Sequence, residues 1–503
     1  MSPLTRRRLL TSCSGALFGS LAGCAEDFLR GPVYDTSADA DAVSRAAAPI
    51  EPPPMAARTA LPPLFDDIER RTFDFFWSTA NPANGMVPDR YPNPSPASVA
   101  AIGFGLTAYV IGIDRGFVTR EQARERTLST VRFLRDAPQG PQARGTTGHK
   151  GFFYHFLEMK SGTRAGRSEL STIDTALLVA GLLHVQSHFN GPHPDEDEIR
   201  TGVDTIYRRI DWNWAQVRGQ LISLSWSPEK GWAPYDWGGY NEAMLLVLLA
   251  LGSPTHPVKE SAWREWSENH GGTQPRFMGY EYLGFASMFG HQYSHTWIDF
   301  RGIQDAPMRQ RGIDYFENSR RATYAQRAYA IANPKGWFEY GPNVWGFTAC
   351  DGPGWFRDTD RGGRGRFFLD YRARGAGQAT TLDDGTIAPT AALSSLPFAP
   401  EIVIPATLEM HARYGQFIYS TYGFLDSFNR SFTSTDLKLS MGRVDPGFGW
   451  IASDYLGIDQ GPILAMIGNY RNELVWSDMR RCQPLRRGLE RAGFRGGWLA
   501  SSG

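Results

Sequence analysis

Neither sign of charge prevails in this chain. Lysine plus arginine and aspartate plus glutamate both number 52 among 503 residues, for a formal net charge of zero, so no global field draws it to nucleic acid or to an anionic membrane surface. Cysteine is scarce as well. Of the four, Cys13 and Cys24 fall in an N-terminal leader; Cys350 and Cys482 remain in the body, where an oxidising compartment permits a disulfide between them. Period-two alternation of apolar and polar residues is rare, which argues against a sheet-built body and for an all-α one. The chain has no glycine-rich nucleotide loop and no third ligand spaced to complete a metal site, so no cofactor is implied.

What is present begins with the leader. Paired arginines in Thr5-Arg6-Arg7-Arg8-Leu9-Leu10 precede a small apolar run, Gly15 to Gly23, too short to span a bilayer. The arrangement resembles a twin-arginine export signal, and Leu21-Ala22-Gly23-Cys24 resembles the lipobox that presents a cysteine for acylation. An uncleaved N-terminal anchor is the alternative. Residues 1–24 are thus expected to be an export signal ending at a lipidated Cys24. Residues 25–63, rich in Ala, Asp, Ser and Pro without periodicity, are expected to be a flexible tether. The contact with a membrane would then run through the lipid at Cys24.

From Leu64 the spacing turns helical. Phe65–Trp77, Val99–Arg115, Thr119–Arg135, Ser171–Phe189, Asp195–Ile210, Tyr240–Leu251, His256–Trp266, Arg309–Ile331, Ala399–Tyr414, Gln460–Tyr470 and Pro484–Ala492 read as helices. Almost wholly apolar helices alternate with amphipathic ones. That is the pattern of an inner ring covered on both sides and an outer ring facing water, a toroid of helical hairpins over residues 64–495. Long loops rich in Gly, Trp, Tyr, Asp and His, such as Trp226–Gly239, Phe277–Gly302 and Gly341–Trp355, are expected to gather at one end and carry the site.

The segments Ser171–Ala176, Tyr240–Ala243, Leu251–Pro257, Gly290–His295 with Trp297–Gly302, Trp345–Pro353, Tyr422–Phe428 and Gly457–Pro462 together resemble the glycoamylase-like family of bacterial glycoside hydrolases. The resemblance runs from about residue 64 to 480 and extends to glycoside hydrolase family 144, whose members act on β-1,2-glucan. It implies a six-hairpin α/α toroid and carbohydrate hydrolysis of a glucan, β-1,2-linked. Hydrolysis of an α-glucan, and a surface glycan-binding protein without catalysis, are the alternatives. The chain departs from one common form of the pattern at Gly468, where relatives carry Glu, so no carboxylate acts there.

Glycosidic cleavage needs an acid to protonate the leaving oxygen and a second carboxylate as nucleophile or as base for water. Glu242, at the start of an apolar inner helix after a Trp- and Gly-rich loop, is expected to be the acid: burial there raises a carboxyl pKa. Its alternative is to cap the helix. The second carboxylate is either Asp426, whose position in relatives resembles the residue proposed to activate water, or Asp174. Asp426 has the alternative of a turn or cap aspartate. Asp174, in an apolar helix, either reaches the cleft or pairs with an arginine such as Arg301. Asp459 caps a helix or binds substrate, and Gln460, which follows it, and Arg301 are further substrate-binding candidates. His291 and His295 sit among Gly290, Tyr293 and Ser294, which suggests a loop, where they would bond sugar hydroxyls or fill structural roles rather than hold a metal. Trp237, Tyr240, Trp297, Trp345 and Tyr422 are candidate stacking faces for sugar rings. The oligomeric state is left open.

Overall fold

The computed structural model describes residues 48–268, 276–377 and 381–500. The leader with Cys24, and the tether reading over 25–47, lie outside the described residues. Twelve helices alternate between outer and inner positions: α1 (Leu64–Thr79), α2 (Val99–Asp114), α3 (Arg120–Asp136), α4 (Thr172–His188), α5 (Pro194–Arg208), α6 (Ala243–Gly252), α7 (Ser261–Glu268), α8 (Phe289–Trp297), α9 (Tyr315–Ala332), α10 (Pro389–Leu393), α11 (Pro400–Ile418) and α12 (Gly457–Asn472). The even-numbered helices form the inner ring. α6, α8 and α10 are buried at every residue, as an element with no polar face must be.

The ring closes because α12 packs against both α1 and α2, and the fold is an all-α toroid of six hairpins. Its tightest contact joins α2 to α4. A Cβ on Gly103 would lie 2.3 Å from the Leu177 carbonyl oxygen, and one on Gly181 would lie 2.1 Å from the Gly103 oxygen, so the two backbones touch where only glycine fits. Outer helices show the expected amphipathic face; α3 buries Ala123, Leu128, Val131 and Leu134. None of the helices in the described residues is long and apolar enough to cross a membrane.

Three differences from the sequence expectation have physical causes. The stretch read as a loop around His291 and His295 is helix α8; Gly290 stands there because the Phe285 ring lies 2.2 Å from where its Cβ would be. The continuous helix expected over Arg309–Ile331 breaks into Ala306–Arg311 and α9, since Gly312 takes φ 70° and the Asp314 side chain caps the second helix. Cys350 and Cys482 are both buried and free, so the permitted disulfide does not form.

Residues 48–63, the last part of the expected tether, contain neither helix nor strand but lie along the body. The Ile50 N–H donates to the Gly279 carbonyl (2.9 Å), Arg320 donates to the Pro53 carbonyl (2.6 Å), and Thr59 N–H donates to the Tyr470 hydroxyl (3.1 Å).

Short strand pairs lace the N-terminal ends of the inner helices. Ala97–Ser98 pairs with Phe156–Leu157 ahead of α2, and Arg90–Tyr91 pairs with Tyr455–Leu456 ahead of α12. Four more strands matter below: β1 (Ala349–Cys350), β2 (Arg372–Ala373), β3 (Thr386–Ile387) and β4 (Phe428–Asn429). β1 pairs with β2 and β3 with β4, all antiparallel.

Candidate active site

At the N-terminal end of the inner ring the carboxylates converge. Glu242 immediately precedes α6, yet its side chain makes no capping hydrogen bond, so the capping role is not the one it fills. It is buried, and its Oε2 has no hydrogen-bond partner in the protein. Burial, and then the charge of Asp174, push its pKa up to about 7, which keeps the proton on the carboxyl in neutral and mildly acid solution.

Asp174 occupies the first turn of α4. Its Oδ2 accepts from the Ser171 hydroxyl, and its Oδ1 lies 3.7 Å from His155 Nε2. His155 is held from behind by Glu169, Nδ1 to Oε1 2.8 Å. Burial opposes a charge on this imidazole, but Asp174, Glu169 and Asp89 outweigh it and raise the pKa to about 9. The partner proposed for Asp174 is therefore wrong: it is His155, not Arg301. Arg301 bonds Asp299 (2.7 Å) and Glu473 (3.0 Å). Glu473 caps the C-terminal end of α12, a helix of 16 residues and hence roughly 24 Å long. Arg301 thus stands at the opposite end of the toroid from the carboxylates, where the substrate contact expected of it is not made.

Asp426 lies in the turn before β4. Its Oδ2 accepts from the Asp351 backbone N–H at 2.7 Å and lies 3.0 Å from the Ser427 hydroxyl, whereas Oδ1 forms no hydrogen bond of ordinary geometry. Asp459, in the first turn of α12, faces it. Burial and then the neighbouring Asp426 raise the Asp459 pKa well above the usual range, and burial also raises that of Asp426. The two buried carboxyls therefore hold a proton between them as a pair. Leu456, not Asp459, is the N-cap residue of α12, so the capping reading of Asp459 does not hold.

Three members of this cluster were not singled out from the sequence. Asp351 is buried and pushed up by burial and by Asp426. Arg90 reaches into the group, 2.9 Å from Asp351 and 3.4 Å from Asp454. Asp89 is charge-coupled to His155, Arg90 and Asp174 and links the two halves of the site. Asp351 lies inside the Trp345–Pro353 motif, so a signal for it existed; Arg90 and Asp89 precede an irregular loop with no periodicity to mark them.

Several expected sugar contacts lie in the core. His291 has both ring nitrogens engaged, at 3.1 Å from the Tyr240 hydroxyl and 3.1 Å from the Phe285 carbonyl. His295 meets the Ser319 hydroxyl at 3.1 Å. Trp297 stacks on Phe104 and donates to the Thr107 hydroxyl; Trp345 is fully buried; Tyr240 stacks on Tyr315. A ring enclosed on both faces offers none to a sugar. Trp237, bonded to the Thr172 hydroxyl at the start of α4, and half-buried Tyr422 stay beside the carboxylates. Gln460 bonds the Phe424 carbonyl through Nε2, and its Oε1 has no partner. Tyr91, 41% exposed, meets Tyr422 edge to face, and Tyr422 meets Tyr455 likewise. Tyr91 and Tyr455, which complete this aromatic corner around Tyr422, were also not singled out from the sequence. Among the described residues no cluster of side chains suited to a metal ion occurs.

The profile of the Glycoamylase family, described as "Putative glucoamylase", matches residues 234–483. The chain is similar to a crystal structure described as a "putative glucoamylase" from Bacteroides uniformis, with 31% identity, a TM-score of 0.72, and coverage of 88% of this chain and 100% of that one. It is also similar to an endo-β-1,2-glucanase from Chitinophaga pinensis solved with sophorotriose and glucose, with 28% identity, a TM-score of 0.71, and coverage of 87% and 99%. An exo-β-1,2-glucooligosaccharide sophorohydrolase from Parabacteroides distasonis is 26% identical over 460 residues, 85% of this chain. The chain spans 57% of that relative's length.

Proposed function

From the premise that this chain belongs to the Glycoamylase family, we propose that it is a glycoside hydrolase that cleaves β-1,2-glucan, with Glu242 as general acid and Asp426 as the carboxylate that activates water. The observation that carries this reading is the contrast between the two carboxyls. Glu242 holds its proton up to about pH 7 in an apolar setting, while Asp426 is fixed through Oδ2 by the Asp351 N–H and is hydrogen-bonded to the Asp459 carboxyl beside it. A pair of carboxyls whose environments separate their roles is what glycosidic cleavage requires.

In the step, the Glu242 proton goes to the glycosidic oxygen as its bond to the anomeric carbon breaks. Asp426 Oδ1 takes a proton from the water whose oxygen bonds that carbon. Asp174 is the poorer candidate for this second role, since it is paired with His155, whose proton it helps to hold. Its charge instead helps keep Glu242 protonated. Tyr91, Tyr422 and Trp237 supply faces for the sugar rings, and Asp459 and Gln460 supply hydrogen bonds. The β-1,2 linkage is supported by what the Chitinophaga and Parabacteroides relatives are described as cleaving.

Product analysis on linear β-1,2-glucan and on starch tests the reading. Oligosaccharides released from the first and none from the second are expected; glucose from starch alone would replace the substrate with an α-glucan. We further propose export by the twin-arginine route and anchoring at Cys24. Metabolic labelling with a radioactive fatty acid should mark the wild type and leave Cys24→Ser unlabelled.

A further inference from the structure

Behind Asp426, away from the carboxyl cluster, lies an ion pair to which nothing above gives a function. Arg374 is 0% exposed and Asp384 2%. The pair is bidentate: Arg374 Nε to Asp384 Oδ1 is 2.7 Å and NH2 to Oδ2 is 2.8 Å. The remaining guanidinium donors go to backbone: NH1 to the Cys350 carbonyl at 2.7 Å, NH2 to the carbonyls of Leu369 (3.1 Å) and Asp370 (3.0 Å). Gly352 leaves the room for this, since a Cβ there would lie 2.1 Å from Arg374 NH2. Asp384 in turn accepts from the backbone N–H groups of Leu369 and Thr386.

The Cys350 carbonyl and the Asp351 N–H belong to one peptide unit. Tyr91–Pro92 is the cis bond recorded among the described residues, so the Cys350–Asp351 bond is trans. Its C=O and N–H therefore point in opposite directions in one plane. The oxygen end receives the Arg374 guanidinium, and the nitrogen end donates to Asp426 Oδ2 at 2.7 Å. A cation on the oxygen of an amide strengthens the hydrogen bond its N–H makes, because successive hydrogen bonds polarise one another. Asp384 ties the same unit to the other side: its carbonyl accepts from Asn429 Nδ2 at 2.9 Å, on β4, which follows Asp426. The ion pair thus joins β1·β2, which carries Asp351, to β3·β4, which carries Asp426.

We propose that Arg374 is a positioning residue for Asp426, acting through the single peptide plane between Cys350 and Asp351. This rests on the reading of Asp426 as the activating carboxylate. Arg374 orients the Asp351 N–H, and the N–H fixes and favours the charged Oδ2. The other ionisable groups facing Asp426 are Asp459 from α12, Asp351 and Cys350 from β1 and its loop, and Arg90 from the loop before α2; of these Arg374 touches only Cys350, 3.7 Å from Sγ, and burial keeps that thiol neutral with or without the arginine.

The test compares two ways of breaking the ion pair, with pH profiles of kcat and kcat/KM on β-1,2-glucan and thermal melts for each variant. Arg374→Met combined with Asp384→Leu removes the pair and the donor to Cys350, with apolar groups of similar volume in its place. Asp384→Asn breaks the pair but leaves Arg374 on the Cys350 carbonyl. For the folded double variant kcat should fall at least tenfold with KM within twofold. The acid limb of kcat/KM should move up by about one pH unit, since the carboxylate loses its aimed donor. The limb from Glu242 should stay in place. Asp384→Asn should keep the wild-type acid limb whatever its melting temperature. A wild-type acid limb and kcat in the double variant, or an equal shift in Asp384→Asn, overturns the inference. Should the double variant not fold, Arg374→Gln takes its place and is read in the same way. Asp426→Asn is measured alongside: if it retains full activity, the reading of Asp426 itself has failed; if it is inactive while Arg374 variants are unaffected, only this inference has.

Discussion

Arg90 and Asp351 form a 2.9 Å ion pair in which the carboxylate is almost fully buried and the arginine's charge acts on Asp426 and Asp351 alike. Burying several carboxyls together is unfavourable unless a positive charge offsets them. Replacing Arg90 by Met should therefore raise the pKa of both aspartates. At pH 6, kcat should fall about a hundredfold, of the order expected when a base is held in its protonated form, and part of the loss should return as pH is raised. A flat pH response in the variant would show that Arg90 acts on substrate instead.

The pKa of Glu242 near 7 places the basic limb of the kcat/KM profile, which reports the free enzyme. The active form is protonated, so the rate should decline as pH rises through about 7. Glu242→Gln should lose at least a thousandfold and lack that limb. Full activity in this variant refutes the assignment of the acid.

His155 predicts a stability effect of opposite origin to that of an acidic salt bridge. Its pKa in the folded protein is about 9, above the roughly 6.5 of an unfolded histidine. The folded state therefore binds the proton more tightly between these values. The resulting stabilisation is complete below about pH 6.5 and is lost as pH rises through about 9. The shift corresponds to roughly 3 kcal/mol. Urea denaturation of wild type and His155→Gln at pH 6 and pH 9.5 should show a gap that narrows at the higher pH; a constant gap would mean that the imidazole is neutral throughout.

At the α2–α4 crossing, Gly181→Ala puts a methyl group 2.1 Å from the Gly103 carbonyl oxygen. Neither backbone has a flexible end to give way. A destabilisation of about 2 to 3 kcal/mol is expected from overpacking, measurable as a lower denaturation midpoint with an unchanged slope. Gly116→Ala, where nothing lies within 4 Å of the added Cβ but φ is +65°, should cost about 1 kcal/mol from backbone strain alone.

The helices were legible because burial on both sides and burial on one side leave different residue patterns. α2, α4, α6 and α12 announce themselves as apolar runs. α8 did not, for its glycine, two histidines, glutamine and serine look like loop residues; its polar side chains bond to neighbouring helices and loops, and only those partners let them sit in a core. The same reason explains Trp297, Trp345 and Tyr240, whose aromatic faces look alike in sequence whether they meet a sugar or another ring.

By itself the sequence determined the ring of alternating helices, the end of it where loops gather, and Glu242 as the acid candidate, all of which follow from residue type and local order. Only the tertiary structure tells Asp426 from Asp174. Both are aspartates in apolar surroundings, and what separates them is which groups from distant parts of the chain meet them: His155 pairs with Asp174, while the Asp351 N–H, 75 residues from Asp426 in sequence, fixes one oxygen of Asp426 and Asp459 lies beside it; the role proposed for Asp426 rests on that difference. Contacts across such separations are set by the closure of the ring and leave no periodic trace in the chain.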